Sequence, residues 1–146
     1  MAATATYLNF PRNTEEAFTF YKSVFGGEFA GGRISLFGDV PPQEGAPPMA
    51  DADKNLVMHI SLEITGGHYI MGTDAPESMG FNVTFGNNIY ICLCPNTRAD
   101  TKKIFDALSA GGKIETELQD MFWGDYYGGF KDKFGVHWML NCSEKK

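Results

Sequence analysis

FYKSVFGGEF, residues 20–29, and FDALSAGGKI, residues 105–114, decide how this chain is read. At a shift of 85 residues Phe20 falls on Phe105 and the pair Gly26-Gly27 on Gly111-Gly112. The same shift lays YLNF (7–10) over CLCP (92–95). Farther along the best shift becomes 68, which lays HYIMGT (68–73) over VHWMLN (136–141) and Met71 on Met139. The shifts differ by 17, and GDVPPQEGAPPMADADK, residues 38–54, is 17 residues long and rich in Pro, Gly and Ala. Such a stretch reads as a loop inserted into the first copy alone. The match between shift and loop length makes an internal repeat the organising feature of the chain.

Each copy reads as strand–helix–strand–strand–strand. In the first, residues 4–10 form a strand, and Asn13 followed by Glu16 three residues later predicts a capping box. Ala17, Phe18, Tyr21, Val24 and Phe25 then recur at helical spacing, and Gly26-Gly27 stops the helix. Strands near 28–37, 55–65 and 67–74 follow, the last two joined by a Gly66-Gly67 turn. The second copy reads as a strand near 88–94, a Thr97-capped helix to about residue 110, and strands near 113–120, 126–132 and 136–142, with Gly135 closing the last hairpin. The expected fold class is α+β: one domain, 1–146, of two βαβββ modules (about 1–75 and 80–146) joined by APESMG, residues 75–80. Pro41-Pro42 and Pro47-Pro48 exclude regular pairing, so 38–54 is expected to be irregular or mobile. One face of each sheet lies under its helix and the other stays open. Two modules side by side close a curved, cup-like mixed sheet around a shared cavity. The open faces then line a pocket, pack on each other, or meet a second chain.

MFWGDYYGGFKDKFGVHWML, residues 121–140, interleaves glycines with aromatics. The glycines serve two hairpins and a bend, and the aromatics fill the core and part of the cup wall. Phe122 and Trp123 precede Gly124, a bend where they offer stacking area to a flat or apolar ligand. The competing reading places them in the core or a dimer seam, and core is favoured for Phe134 and Trp138. In VMHISLEI, residues 57–64, His59 shares a face with Val57 and Ser61. It reads either as an acid/base or ligand-orienting group or as a strand histidine bonded to a neighbour. His68 falls in an exposed turn, and His137 points away from Trp138 to core edge or solvent. Asp132 reads as a turn side-chain hydrogen bonder, and Glu63 and Glu117 as exposed strand carboxylates.

Composition narrows the function classes. Hydrophobic residues make up 43% and charged residues 21%, as in a globular domain, and no apolar run approaches the ~20 residues that span a bilayer. MAATATYLNF lacks a basic region followed by an apolar one, so no secretory signal is read and a cytoplasmic location is expected. A net charge of −6 and a pI near 4.9 argue against nucleic acid. Cys92, Cys94 and Cys142 lack CxxC spacing and read as buried small hydrophobes, Cys92 and Cys94 sharing one strand face. No Ser–His–Asp ordering, phosphate loop or HExxH helix is present.

YLNF–x–x–N–x–EEAFTFY–x–x–VFGGEF (7–29), the VMHISLEI strand and FWGDYYGGFKDKFGVHWML (122–140) together span most of the chain. They resemble the vicinal oxygen chelate superfamily, the glyoxalase and bleomycin-resistance fold, and within it the PhnB-like branch. The resemblance implies paired βαβββ modules and a homodimer, with the cup completed within one chain or across two. Metal enzymes of this superfamily place four ligands on the first and last strands of the modules. Those positions fall here at about Thr6, at Tyr90 or Ile91, and at Met71 and Met139; a one-residue slip brings in Tyr7, Ile89, Ile70 or Trp138. None is a usual ligand for a divalent metal. No cofactor is therefore expected, a displaced divalent metal staying open. The absence argues against glyoxalase, isomerase and extradiol dioxygenase chemistry, which uses the metal as Lewis acid. Related sequences carry a demethylubiquinone methyltransferase label, but no glycine-rich nucleotide loop follows a strand here.

Three functions stay open: a metal-independent small-molecule binding protein; a lyase, isomerase or dioxygenase with a displaced metal or a His59 acid/base; and a dimeric scaffold with a vestigial pocket. The candidate site comprises His59 as the catalytic group, with Tyr7, Met71, Phe122, Trp123 and Met139 binding ligand. No Arg/Lys cluster suited to a phosphonate supports the phosphonate role that the PhnB name suggests.

Overall fold

The computed structural model describes residues 2–41 and 44–146 and forms two compact units, Met1–Val83 and Thr84–Lys146. The first contains β1 (Thr6–Phe10), α1 (Thr14–Phe25), β2 (Ser35–Leu36), α2 (Asp51–Lys54), β3 (Val57–Glu63) and β4 (Tyr69–Asp74). The second contains β5 (Ile91–Leu93), α3 (Arg98–Leu108), β6 (Lys113–Asp120), β7 (Tyr126–Lys131) and β8 (His137–Cys142). The sheets run β1-β4-β3-β2 and β5-β8-β7-β6. In each, the first strand pairs parallel to the last and the others are antiparallel. The chain is thus α+β, two four-stranded mixed sheets.

The register carries the repeat residue by residue. Tyr7 pairs with Met71, and Cys92, 85 residues on from Tyr7, pairs with Met139, 68 residues on from Met71. Likewise Ser61 opposes Met71 as Gly129 opposes Met139. The change of shift between the first and last strands is the length of the insertion.

Helix burial sets the two faces of each sheet. A Cβ on Gly72 would lie 2.6 Å from the Phe18 ring, so Ile60, Leu62, Ile70 and Gly72 face α1, and with Phe10, Phe18 and Tyr21 they form a fully buried cluster. In the second unit Leu93, Phe105, Leu108, Phe130, Trp138, Leu140 and Cys142 are buried together, Phe105 meeting Phe130 edge to face at 5.0 Å. Burial of this apolar surface is the main stabilising term of each unit.

Several elements depart from the sequence reading. The strand expected near 28–37 shrinks to Ser35–Leu36, because Gly31 and Gly32 take φ of 76° and 72° in a 3₁₀ turn, leaving Phe29 as a lone bridge to Leu62. The first strands of the modules start later than expected, at Thr6 and Ile91. Asn13 makes no side-chain cap; the carboxylate of Asp74 holds the helix start instead, accepting from Thr14 N at 3.0 Å and Thr14 Oγ1 at 2.8 Å. Its other oxygen accepts from Val57 N at 2.8 Å. A capping side chain can come from another strand as well as from the local sequence. Thr97 caps α3 as expected, accepting from Asp100 N at 3.0 Å. Cys92 and Cys94 are exposed, and only Cys142 is buried; Cys92 lies on the helix-free side of a short edge strand and Cys94 just past its end.

The insertion is irregular apart from α2 and a 3₁₀ turn at Phe37–Asp39; Pro42 lies outside the described residues. The 75–80 segment folds onto the first unit. There Arg12 reaches Asp53 Oδ1 at 3.3 Å and Ser78 at 3.1 Å, and Ser78 donates to Asp53 Oδ2 at 2.9 Å. No helix among the described residues is long and apolar enough to cross a membrane.

Candidate functional site

On the helix-free face of the first sheet, strand alternation puts Tyr7 and Asn9 of β1 beside Met71 and Thr73 of β4 and His59 and Ser61 of β3. Tyr7, Met71 and Ser61 form one row across three strands. The Tyr7 hydroxyl lies 3.3 Å from His59 Nδ1, with ring centroids 5.9 Å apart. Partial burial raises the Tyr7 phenol above its ordinary value, while a hydrogen bond with Thr73 opposes the rise. Tyr7 is 49% exposed, and His59 and Met71 are half-buried. The structure therefore brings Tyr7, His59 and Met71 onto one face. Thr6 falls on the other side, opposite Ile70, its hydroxyl 2.9 Å from His68 Nε2. His68, expected in an exposed turn, is half-buried.

In the second sheet the corresponding face carries Cys92, Met139, Gly129 and Tyr127. Partial desolvation of the otherwise exposed Cys92, together with the neighbouring Cys94, pushes its thiol up to about 11. Phe122 and Trp123 occupy the tip of the β6–β7 connection. Met121 N donates to Asp125 O at 2.8 Å and Gly124 N to Met121 O at 2.9 Å, and Gly124 takes φ 99°. At such a tip the rings project outward: Phe122 is 97% and Trp123 48% exposed. Trp123 stands edge to face with Phe122 at 5.0 Å and with Tyr127 at 6.2 Å. Trp138, by contrast, is fully buried, its indole donating to Asp132 Oδ2 at 2.8 Å. Asp132 Oδ1 closes the last hairpin by accepting from Phe134 N and Val136 N.

Two features escaped the sequence reading. Tyr90 opposes His137, rings 4.9 Å apart, and donates its hydroxyl to Glu115 Oε1 at 2.8 Å; that acceptor raises the phenol. His137 is 8% exposed, its Nδ1 lies 4.0 Å from the same Oε1, and it has no hydrogen-bond partner. Continuing the shift pattern one residue before Ile91 sets Tyr90 against His137. Glu115 depends on an irregular β6–β7 register between Ile114 and Thr116, for which the sequence carries no signal. The insertion also builds an apolar cleft of about 560 Å³ lined by Phe37, Val40, Pro41, Pro47, Pro48 and Met49.

Of the positions that the resemblance implies for a metal, Met71 and Met139 lie on the helix-free faces, where their strand partners are Tyr7 and Cys92, while Thr6 and Ile91 pair with Ile70 and Trp138 instead. Among the described residues, no group of three or more His, Cys, Asp and Glu is placed to hold a metal ion.

Comparison with known proteins adds the following. A family model described as 3-demethylubiquinone-9 3-methyltransferase matches residues 2–141. Protein YjdN of Escherichia coli K12 is 31% identical over 145 residues, covering 96% of this chain and 95% of its own. Among solved structures, protein PA1353 from Pseudomonas aeruginosa superposes with a TM-score of 0.80 at 31% identity, covering 97% of this chain and 98% of that one. A putative 3-demethylubiquinone-9 3-methyltransferase, PhnB protein, from Bacillus cereus gives 0.73 at 25% identity over 97% and 99%. A glyoxalase/bleomycin resistance protein/dioxygenase family enzyme from Burkholderia phytofirmans shares the fold at 19% identity, with a TM-score of 0.62 over 97% and 100%.

Proposed function

The chain belongs to the PhnB-like family of the vicinal oxygen chelate superfamily, and from that premise we propose that it is a small-molecule binding protein that works without the superfamily's four-ligand metal site. One observation carries this reading. The helix-free face of the first sheet keeps the half-exposed Tyr7 ring beside a polar group able to orient a ligand, His59, and the second unit separately exposes the Trp123 ring at a hairpin tip. Large rings exposed beside a few directed polar groups suit a flat or apolar ligand. Tyr7, Met71 and Met139 do not suit a divalent metal of the glyoxalase type, since thioethers favour soft copper and phenols are rare ligands, and Cys92 belongs to no group of three or more His, Cys, Asp or Glu that would complete a site among the described residues. No reaction step is assigned to a metal here. The methyltransferase description belongs to the family model and to the Bacillus protein; no glycine-rich nucleotide loop in this chain supports transferring it.

The second reading is an acid/base enzyme of the same superfamily centred on His59, favoured by the 3.3 Å approach of the Tyr7 hydroxyl to Nδ1. We also assign the chain a homodimeric state, on C₂ base rates and the fold's habit, and a cytoplasmic location. A monomer in sedimentation at micromolar concentration overturns the dimer.

The test is native mass spectrometry and metal analysis of protein purified without chelator or affinity tag. A co-purified organic molecule with no stoichiometric metal supports the binding reading; stoichiometric zinc, nickel, manganese or iron overturns it. With the co-purified ligand in hand, Trp123→Ala weakens binding by about 1–3 kcal/mol through lost aromatic burial.

A further inference from the structure

Three sulfur-bearing side chains share the helix-free face of the second sheet. Cys92 and Cys94 are exposed and alternate with Leu93 and Pro95, which are buried, so both thiols stand on the open side. Their side chains hydrogen-bond to each other, which keeps the two sulfurs in contact. Across the parallel β5–β8 ladder the strand partner of Cys92 is Met139, and partners one strand spacing apart point the same way. Met139 is half-buried. On its other side β7 supplies Gly129, where an added Cβ would meet nothing closer than 3.5 Å, so no side chain from that position covers the thioether. Continuing the β5–β8 register sets Asn141 beside Cys94, and Asn141 gives its amide to Asp125 Oδ2 at 2.9 Å. The donors left to a ligand on this patch are sulfurs.

We propose that Cys92, Cys94 and Met139 bind a single cuprous ion on the helix-free face of the second unit. Ligand chemistry selects the ion. Thiolates and a thioether are soft donors, which suit Cu(I) and do not suit hard divalent ions. Structural zinc asks for a closed tetrahedron of Cys and His, and among the described residues no third His, Cys, Asp or Glu joins the two cysteines. A thioether completes no zinc site, but Cu(I) accepts it. Binding exchanges protons for metal. Each cysteine releases its proton to solvent and keeps the electron pair for the copper, which enters and stays as Cu(I), so no electron changes hands. The site shares Met139 with the positions that the resemblance implies for a divalent metal and uses none of the others. It lies in the second unit, whereas the small-molecule reading rests first on the Tyr7–His59 face of the other, so each stands or falls separately.

The test is anaerobic titration of the reduced full-length protein with Cu(I) against bicinchoninate, a chelator whose copper complex is coloured. Wild-type protein is expected to withdraw one equivalent of copper from the chelator, and X-ray absorption of the loaded protein to show a shell of sulfur alone. Cys92→Ser and Cys94→Ser each weaken retention by about a hundredfold or more, and Met139→Leu, close in volume, by about tenfold. Cys142→Ala removes the buried thiol and leaves retention unchanged. The two exposed cysteines can be replaced without opening the core, and circular dichroism of each variant separates lost copper from lost fold. Failure to withdraw copper overturns the proposal, as does retention that survives Cys92→Ser or Cys94→Ser. Nitrogen or oxygen in the shell, or Met139→Leu without loss, overturns the three-sulfur site. Zinc held as tightly as copper under matched competition overturns the choice of ion.

Discussion

The two units keep the same register and fill it in opposite ways. In the first, Ile60 opposes Gly72; in the second, the corresponding pair is Gly128 opposite Leu140. Large and small residues have changed strands. In both cases a helix phenylalanine presses on the glycine: Phe18 would meet a Cβ on Gly72 at 2.6 Å, and Phe105 one on Gly128 at 2.8 Å. What the repeat keeps is the volume between helix and sheet, which close packing fixes, and not the strand that supplies it. The helix starts differ in the same spirit. Asp74, fully inside the first unit, takes three donors. In the second unit the equivalent strand position is the apolar Cys142, and α3 is held by Thr97 and by Glu144, which accepts from Arg98 N at 2.6 Å.

The contrast in caps predicts the largest difference between the units. Asp74→Ala leaves three buried donors without partners and should lower stability by about 3–5 kcal/mol, whereas Thr97→Ala should cost about 1 kcal/mol. Urea denaturation of both variants checks this; equal losses would mean that Asp74 is no more than an ordinary cap.

The exchanged glycines give a smaller effect. Gly128→Ala sets its methyl against Phe105 and 3.0 Å from Leu118 N and Thr116 O, whereas the nearest atoms to a methyl at Gly72 belong to the Phe18 and Thr14 side chains. Backbone yields less than a ring, so we expect losses of roughly 2–3 and 1–2 kcal/mol respectively. Thermal unfolding in which Gly72→Ala proves the more damaging would refute the idea that the second unit is the tighter of the two here.

The smallest effect concerns the residues that face the paired methionines. Tyr7 and Cys92 are both weak acids whose proton is held more tightly by partial desolvation, although each keeps much of its surface exposed. The Cys92 thiol, ordinarily near 9.0, is pushed up to about 11. A group whose folded pKa is raised contributes stability in full below its unfolded pKa, and loses it as pH rises through the folded value. That window runs from about 9 to about 11 for Cys92. Alkylation of Cys92 in the folded chain, followed residue by residue by mass spectrometry, should rise with an inflection near 11; one near 9 would remove the effect.

Much of this architecture was legible because local signals and register agreed. Paired glycines after Phe25, the Thr97 cap and the Gly135 turn are all decided within a few residues of chain, and the change of shift located the insertion. The failures share a cause as well. Asn13 looked like a cap, but Asp74, sixty residues away, outcompetes it. Cys92 and Cys94 looked like core because alternation gives a face without saying whether anything covers it. Trp123 and Trp138 carry the same side chain and have opposite environments, set by a hairpin tip in one case and a helix in the other. The candidate site was readable only as far as faces are: Tyr7, His59 and Met71 follow from strand parity, whereas Tyr90–Glu115–His137 needs a bulge that propensity does not encode.

Both tryptophans of the sequence lie in the second unit, one buried on the Asp132 carboxylate and one half in water. Indole emission therefore watches only one half of the chain, and watches it with two colours. A blue band from Trp138 reports whether the second core is packed, and a red-shifted, iodide-quenchable band from Trp123 reports what covers the hairpin tip. Melting of the first unit alone would pass unseen in this channel, and tyrosine emission or circular dichroism would have to reveal it. Disagreement between those probes and tryptophan would be the direct signature that the two halves unfold separately.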